Sequence, residues 1–143
     1  MAQTAARQDK KDCPESSTMG SHGSFCWNEL MTHDVERAKR FYADAIGWSF
    51  DPMPMDQGTY WIAKGGDKMA GGMVEMKGSC GDSMPESWMA YLAVDDVDAR
   101  VKKAVAAGAA LIREPFDIPG VGRIAILREP GGAMVGWMTP AKS

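Results

Sequence analysis

Two glutamates, Glu29 in FCWNEL and Glu75 in GGMVEM, are the carboxylates most worth weighing for chemistry: Glu29 lies in an apolar, aromatic stretch, whereas nothing in the residues around Glu75 marks it out. A carboxyl group held among Trp, Met and Tyr side chains loses the hydration that its charged form needs. Its pKa then rises, and it becomes a candidate general acid or base near neutral pH. The plainer alternatives are a structural hydrogen-bond acceptor or a dimer-seam residue for Glu29, and an exposed strand residue for Glu75. Trp27, Trp61, Trp88, Met89, Tyr91 and Trp137 have the large, adaptable surfaces that line a cleft for a flat apolar or aromatic ligand. Filling an ordinary core is the commoner use of such side chains. Arg123 follows the Gly-rich stretch DIPGVG at 117–122 and offers a guanidinium fork to an anionic ligand group, although an arginine so placed more often pairs with a nearby acid. DIPGVG itself is either a mobile rim or, more commonly, an inter-strand loop. Ser24, Cys26 and Cys80 have no histidine near them in sequence, and His22 and His33 are the only two available, so no nucleophile with its base stands out.

The elements that must carry these residues come in two similar sets. FCWNEL at 25–30 has the aromatic and apolar content of a strand with one buried face. Asp34 is a suitable helix N-cap, Val35, Ala38, Phe41, Tyr42 and Ala45 recur at helical spacing, and Gly47 suits a left-handed C-terminal cap. Short strands follow at 48–50, 59–64 and 71–76, separated by Pro, Gly and Asp. The order repeats in WMAYLAV at 88–94, an Asp96-capped helix with Val97, Val101, Ala104 and Val105, and strands at 110–112, 123–127 and 133–138. An offset of 62 lays Asp34 on Asp96, and an offset of 61 lays GGMVEM on GAMVGWM. The match is modest but spans both units, and internal repetition of this kind bears on the whole fold, because missing it misassigns the fold. Each helix is followed by about three strands rather than one, so the chain is expected to be α+β, with two βαβββ units at about 24–77 and 87–139.

At 143 residues and 45% hydrophobic content, the chain is the size of one domain with a real core. Its net charge of -3, with acids and bases interleaved, offers no stripe for a phosphate backbone, and nucleic acid is excluded as an expected partner. No apolar run is long enough to span a membrane and no signal-peptide pattern opens the chain, so a cytoplasmic protein with no membrane partner is expected. Cys13, Cys26 and Cys80 form no C-x-x-C pair and are expected to be reduced. Residues 1–23, rich in Ser, Gly, Lys and Asp, are expected to form a flexible tail.

FCWNELMTHDVERAKRFYADAIGW, WMAYLAVDDVDARVKKAVAAGA and IPGVGRIAILREPGGAMVGWM together resemble the glyoxalase/bleomycin-resistance/extradiol-dioxygenase (vicinal oxygen chelate) superfamily, and among its members the single-domain group related to lactoylglutathione lyase. The resemblance implies a curved mixed sheet around a cleft and favours Trp27, Met89 and Tyr91 as cleft residues. It also implies that a divalent metal, where present, is held from the first and last strand of each unit. Those positions here are Trp27, Met89, Glu75 and Gly136, of which Glu75 alone has a suitable ligand atom. Counting Glu29, on the same face as Trp27, still gives two carboxylates and no histidine, while His33 falls at the strand-to-helix turn, away from the cleft. The expectation is a protein that binds an apolar or aromatic small molecule, without a cofactor and with the divalent metal disfavoured. The alternative is a lyase, isomerase or dioxygenase-like enzyme using Glu29 or Glu75, with or without a divalent metal. A homodimer is implied by the same resemblance.

Overall fold

The computed structural model describes residues 21–56, 58–78 and 83–141. Most of the expected N-terminal tail, together with Cys13 and Cys80, lies outside the described residues. The element order is β1 (Phe25–Thr32), α1 (Val35–Ile46), β2 (Ser49–Met55), β3 (Gly58–Gly65), β4 (Lys68–Glu75), β5 (Ser87–Ala93), α2 (Val97–Ala106), β6 (Ala110–Ile118), β7 (Gly122–Arg128) and β8 (Met134–Pro140). This is βαβββ twice, the α+β architecture that the repeat predicts.

Helices α1 and α2 start as their sequences dictate. Asp34 and Asp96 adopt extended backbone and accept hydrogen bonds from the N–H groups of Arg37 and Ala99, at 3.0 and 3.2 Å, which gives partners to donors that the first turn leaves unpaired. Gly47 closes α1 at φ 78°, a left-handed conformation that costs little only for glycine.

The eight strands of the described residues form one sheet, in the order β2-β3-β4-β1-β5-β8-β7-β6. The two units meet at its centre, where β1 and β5 run antiparallel and bring Trp27 opposite Tyr91 and Glu29 opposite Met89. Within each unit the first and last strands are parallel, β1 with β4 and β5 with β8. The sheet curls into a half-barrel. Strands β2 and β6 both outrun the segments expected from sequence, and both carry prolines, Pro52 and Pro54 in β2 and Pro115 in β6. Both are edge strands, where a missing N–H need not break a ladder between two neighbours, so proline does not end them.

One face of the sheet carries the helices. Val35 and Ala38 of α1 pack with Leu30 and Met73 of the sheet, joined by Tyr42, Trp48, Phe50 and Trp61. Val97 and Val101 of α2 pack with Val94, Ala125, Leu127 and Val135. The inner face has its own cluster, built on Met31, Met89, Tyr91, Ile124 and Met138. Strand alternation separates these sets, since neighbours such as Leu30 and Met31 must point to opposite faces.

Candidate functional site

Glu29 projects from β1 on the same face as Trp27 and Met31, into the inner cluster where both units contribute. Its carboxylate Oε1 accepts hydrogen bonds from the hydroxyls of Tyr60 on β3, at 3.1 Å, and Tyr91 on β5, at 3.4 Å. The Tyr60 hydroxyl accepts in turn from the indole Nε1 of Trp27, at 2.8 Å. Among the described residues, none gives a hydrogen bond to the second carboxylate oxygen, Oε2. Burial holds the Glu29 carboxyl above the ordinary glutamate range, against the opposing pull of the two tyrosine hydrogen bonds. Both phenols are themselves pushed up, first by burial and then by the Glu29 charge, so they remain protonated and act as donors.

Two glycines make room for this clasp. Gly72 on β4 lies opposite Glu29, and Gly136 on β8 lies opposite Tyr91. A Cβ at 72 would collide with the Tyr60 ring and hydroxyl, and one at 136 would collide with the face of the Tyr91 ring. The two glycines are related by the internal repeat at an offset of 64 (136 − 72), as are Glu75 and Thr139 (139 − 75). The offset of 61 expected from sequence for the last strands is therefore three residues short. The 61 offset sets Glu75 against Gly136, whereas in the fold they do not occupy equivalent places.

Glu75 accordingly has a different neighbourhood from Glu29. Its Oε1 accepts the N–H of Val35, the first residue of α1, at 3.1 Å, and Thr139 Oγ1 does the same for Val97 at the start of α2, at 2.8 Å. Both side chains supply a partner to an otherwise unpaired helix N-terminal donor. Glu75→Ala is expected to lower stability by about 0.5–2 kcal/mol, the range for loss of a helix-capping acceptor. The urea midpoint of the variant checks this.

The other residues singled out from sequence divide by face. Trp27, Met89 and Tyr91 join Glu29 on the inner face; Met89 and Tyr91 are almost wholly buried, at 2% and 4% exposure. Trp61 packs with the α1 core and carries the Lys39 ammonium 3.2 Å above its ring. Trp88 meets Tyr42 and Trp48 on the same side. Trp137 packs against the α2 core, so it is placed away from the Glu29 cluster. Arg123 is likewise placed elsewhere: its guanidinium is held by Asp98, at 2.8 and 3.2 Å, and by Asp117, at 3.2 Å. The 117–122 stretch is a tight hairpin turn, with Val121 N–H bonded to Ile118 O at 2.9 Å. His33 sits at the turn into α1, its Nε2 2.8 Å from Met84 O, and His22 takes the N–H of Asp95 at 3.0 Å. Cys26 is a free thiol that burial pushes above its ordinary pKa, which keeps it in the less nucleophilic form.

Sequence reasoning missed Tyr60. It stands next to Trp61 in TYWIAK, and strand alternation alone would have placed the two on opposite faces. Only the strand order reveals that β3 lies close enough to β1 for the hydroxyl to reach Glu29.

The inner positions of the four central strands also decide whether a divalent metal fits. They are Trp27 and Glu29 on β1, Met89 and Tyr91 on β5, Gly72 and Val74 on β4, and Gly136 and Met138 on β8. One carboxylate is the only strong donor there, and no group of three or more His, Cys, Asp or Glu capable of holding a metal occurs among the described residues. The donor set does not fit a catalytic Zn, Mn, Fe or Ni centre, which draws three or more such ligands from the protein.

Two βαβββ units closing one sheet into a half-barrel, with the polar cluster on its inner face, define the scaffold of the vicinal oxygen chelate superfamily. The chain belongs to the glyoxalase-like domain family, whose sequence model matches residues 25–135. It is 42% identical over 122 residues to the protein named "Putative glyoxylase CFP32" of Mycobacterium tuberculosis, an alignment covering 83% of this chain and 45% of that protein. It is 29% identical over 126 residues to the anthracycline biosynthesis protein DnrV of Streptomyces peucetius, covering 78% and 45%. The chain thus spans less than half the length of these relatives. Among solved structures it is similar in fold to methylmalonyl-CoA epimerase from Mycobacterium tuberculosis, with TM-score 0.58 and 17% identity over 83% of this chain and 89% of that one. A Mn(II)-bound glyoxalase from Novosphingobium aromaticivorans gives TM-score 0.54 and 20% identity over 82% and 39%.

Proposed function

We propose that this chain binds a small molecule with a flat apolar or aromatic body on the inner face of the half-barrel, without a metal. The observation that carries this is the Glu29 clasp. One carboxylate oxygen is fixed by Tyr60 and Tyr91 while the other takes no hydrogen bond from a described residue, leaving a positioned polar group in apolar surroundings. A few placed polar groups in an apolar concavity are what fix a small ligand's orientation. Trp27 adds an aromatic wall and borders a cavity of about 430 Å³ that opens where β1 and β4 diverge. The relative named for anthracycline biosynthesis supports including polycyclic aromatic ketones among the ligands. Exposed Phe25, at 70%, and Met69, at 63%, beside that cavity support a second copy of the chain as a partner.

The test is calorimetric titration of a panel of polycyclic aromatic ketones, an anthracycline among them. At least one is expected to bind with micromolar affinity, unchanged by EDTA and weakened tenfold or more by Trp27→Ala. Affinity that needs an added divalent metal, or is indifferent to Trp27→Ala, sinks the proposal.

A second reading is favoured by the raised pKa of Glu29 and its open oxygen, the properties of a group that moves a proton. In this reading Glu29 takes a proton from carbon next to a ligand carbonyl and the same site returns it, as in an isomerase. Deuterium uptake by the bound ligand in D2O, lost in Glu29→Gln, distinguishes this from binding alone.

A further inference from the structure

We infer that Arg113 on β6 is the anion-recognising residue of the inner-face site and that the site takes an aromatic carboxylate. The inference rests on the binding reading above and names the ligand class. Strand β6 is distorted around this residue. Arg113 and Phe116 are three residues apart, and in a regular strand an odd separation puts two side chains on opposite faces. The β6–β7 register shifts between them, with Arg113 opposite Ile126 and Phe116 opposite Ile124, so a bulge containing Glu114 and Pro115 separates two consecutive pairs. Both opposing isoleucines belong to the inner-face cluster, as does Phe116 itself. The bulge therefore turns Arg113 and Phe116 to the same side, and the guanidinium carbon lies 3.6 Å from the Phe116 ring centroid. A bulge that re-aims a side chain beside a site is a recurrent device, and an edge strand with a proline accommodates it.

Stacking on an aromatic face leaves the edge of a guanidinium free, and that edge is where two parallel N–H bonds to a planar carboxylate are made. The other inner-face groups are compatible with an anion. The Arg113 charge reaches the Tyr91 hydroxyl that bonds Glu29, where it opposes the upward push on that phenol. Burial disfavours the charged form of Glu29 relative to a solvated glutamate, which lessens the repulsion on an incoming carboxylate. Arg123, the arginine nominated from sequence, contrasts in each respect: Asp98 and Asp117 already hold its fork. Among the described residues no carboxylate pairs with Arg113.

The experiment compares 2-naphthoate with 2-naphthamide, which share a flat ring and differ in charge, by calorimetric titration of the full chain. The native protein is expected to bind the acid at least tenfold more tightly than the amide. Arg113→Gln is expected to bring the two to within about twofold, and Arg113→Lys to restore part of the preference through charge without the fork. Arg113 is exposed, so thermal unfolding of both variants should match the native protein. Equal affinity for the two probes, a preference that survives in Arg113→Gln, or no binding of either at millimolar concentration overturns the inference. Trp27→Ala separates this failure from failure of the binding site itself. If both probes bind equally and both are weakened by Trp27→Ala, the inner-face site stands and Arg113 is not its anion residue. If the Arg113-dependent preference persists while Trp27→Ala changes neither affinity, the anion contact stands and the inner-face site falls.

Discussion

Replacing Gly136 by alanine is expected to lower the melting temperature by about 3–10 °C, the shift that corresponds to the roughly 1–3 kcal/mol cost of overpacking in a domain of this size. The added methyl would enter the face of the Tyr91 ring, which is 4% exposed and packed among Met31, Met89, Ile124 and Met138. The ring has nowhere to go without displacing that cluster. Gly72→Ala makes the same collision at the repeat-related place, but its nearest neighbour is the hydroxyl end of Tyr60, which is less deeply buried. Tyr60 can swing away there, so the smaller part of the cost falls on stability and the larger on the Glu29 clasp. Thermal unfolding of both variants and of Gly136→Ala with Tyr91→Ala checks the assignment. The double variant should be no less stable than Tyr91→Ala alone, because the clash and its partner vanish together. An unchanged melting temperature for Gly136→Ala would mean that the ring does not need the space.

The second large effect is on the pH dependence of stability. Folding raises the pKa of Glu29, so the folded state binds that proton more tightly than the unfolded chain does. The stability this contributes is fully present below the unfolded pKa, about 4.3 for glutamate, and is lost as pH rises through the folded value. Glu29→Gln keeps a neutral side chain whose Oε1 can still accept from Tyr60 and Tyr91, and it removes the titration. Measured by urea unfolding between pH 4 and 8, the variant should gain on the native protein as pH rises, with a slope of up to about 1.4 kcal/mol per pH unit and then a plateau at the folded pKa. A difference that stays flat across this range would show that Glu29 is not buried as the structure has it.

Much of the architecture is written locally. Asp34 and Asp96 announce their helices because a short acidic side chain just before an apolar helical period meets the first turn's free N–H groups. The repeat follows from the same signal, but how the two units pair, β1 against β5, does not. What misled was the end of each unit, where GGMVEM and GAMVGWM align by letters at 61 while the fold relates them at 64. Similar glycine-rich strings carry no mark of which residue faces which strand. The shift of three residues moves Glu75 from the expected cleft to the N-terminus of α1.

The site divides in the same way. Sequence by itself determined that Glu29 shares a strand face with Trp27 and lies in apolar surroundings, because alternation along one strand needs no knowledge of the rest of the chain. By sequence the positions that the family resemblance gives to metal ligands hold one carboxylate, Glu75, and it is the structure that places Glu75 at the start of α1 instead. Only the tertiary structure decided which distant residues meet that face. The order β3-β4-β1-β5 brings Tyr60 and Tyr91 to Glu29 from either side, Gly72 and Gly136 leave space for their rings, and the β6 bulge turns Arg113 inward while Arg123 is taken by Asp98 and Asp117. Strand order, register and bulges arise from packing across the whole sheet, and a contact between residues 31 or 62 positions apart leaves no local trace in the residues that make it.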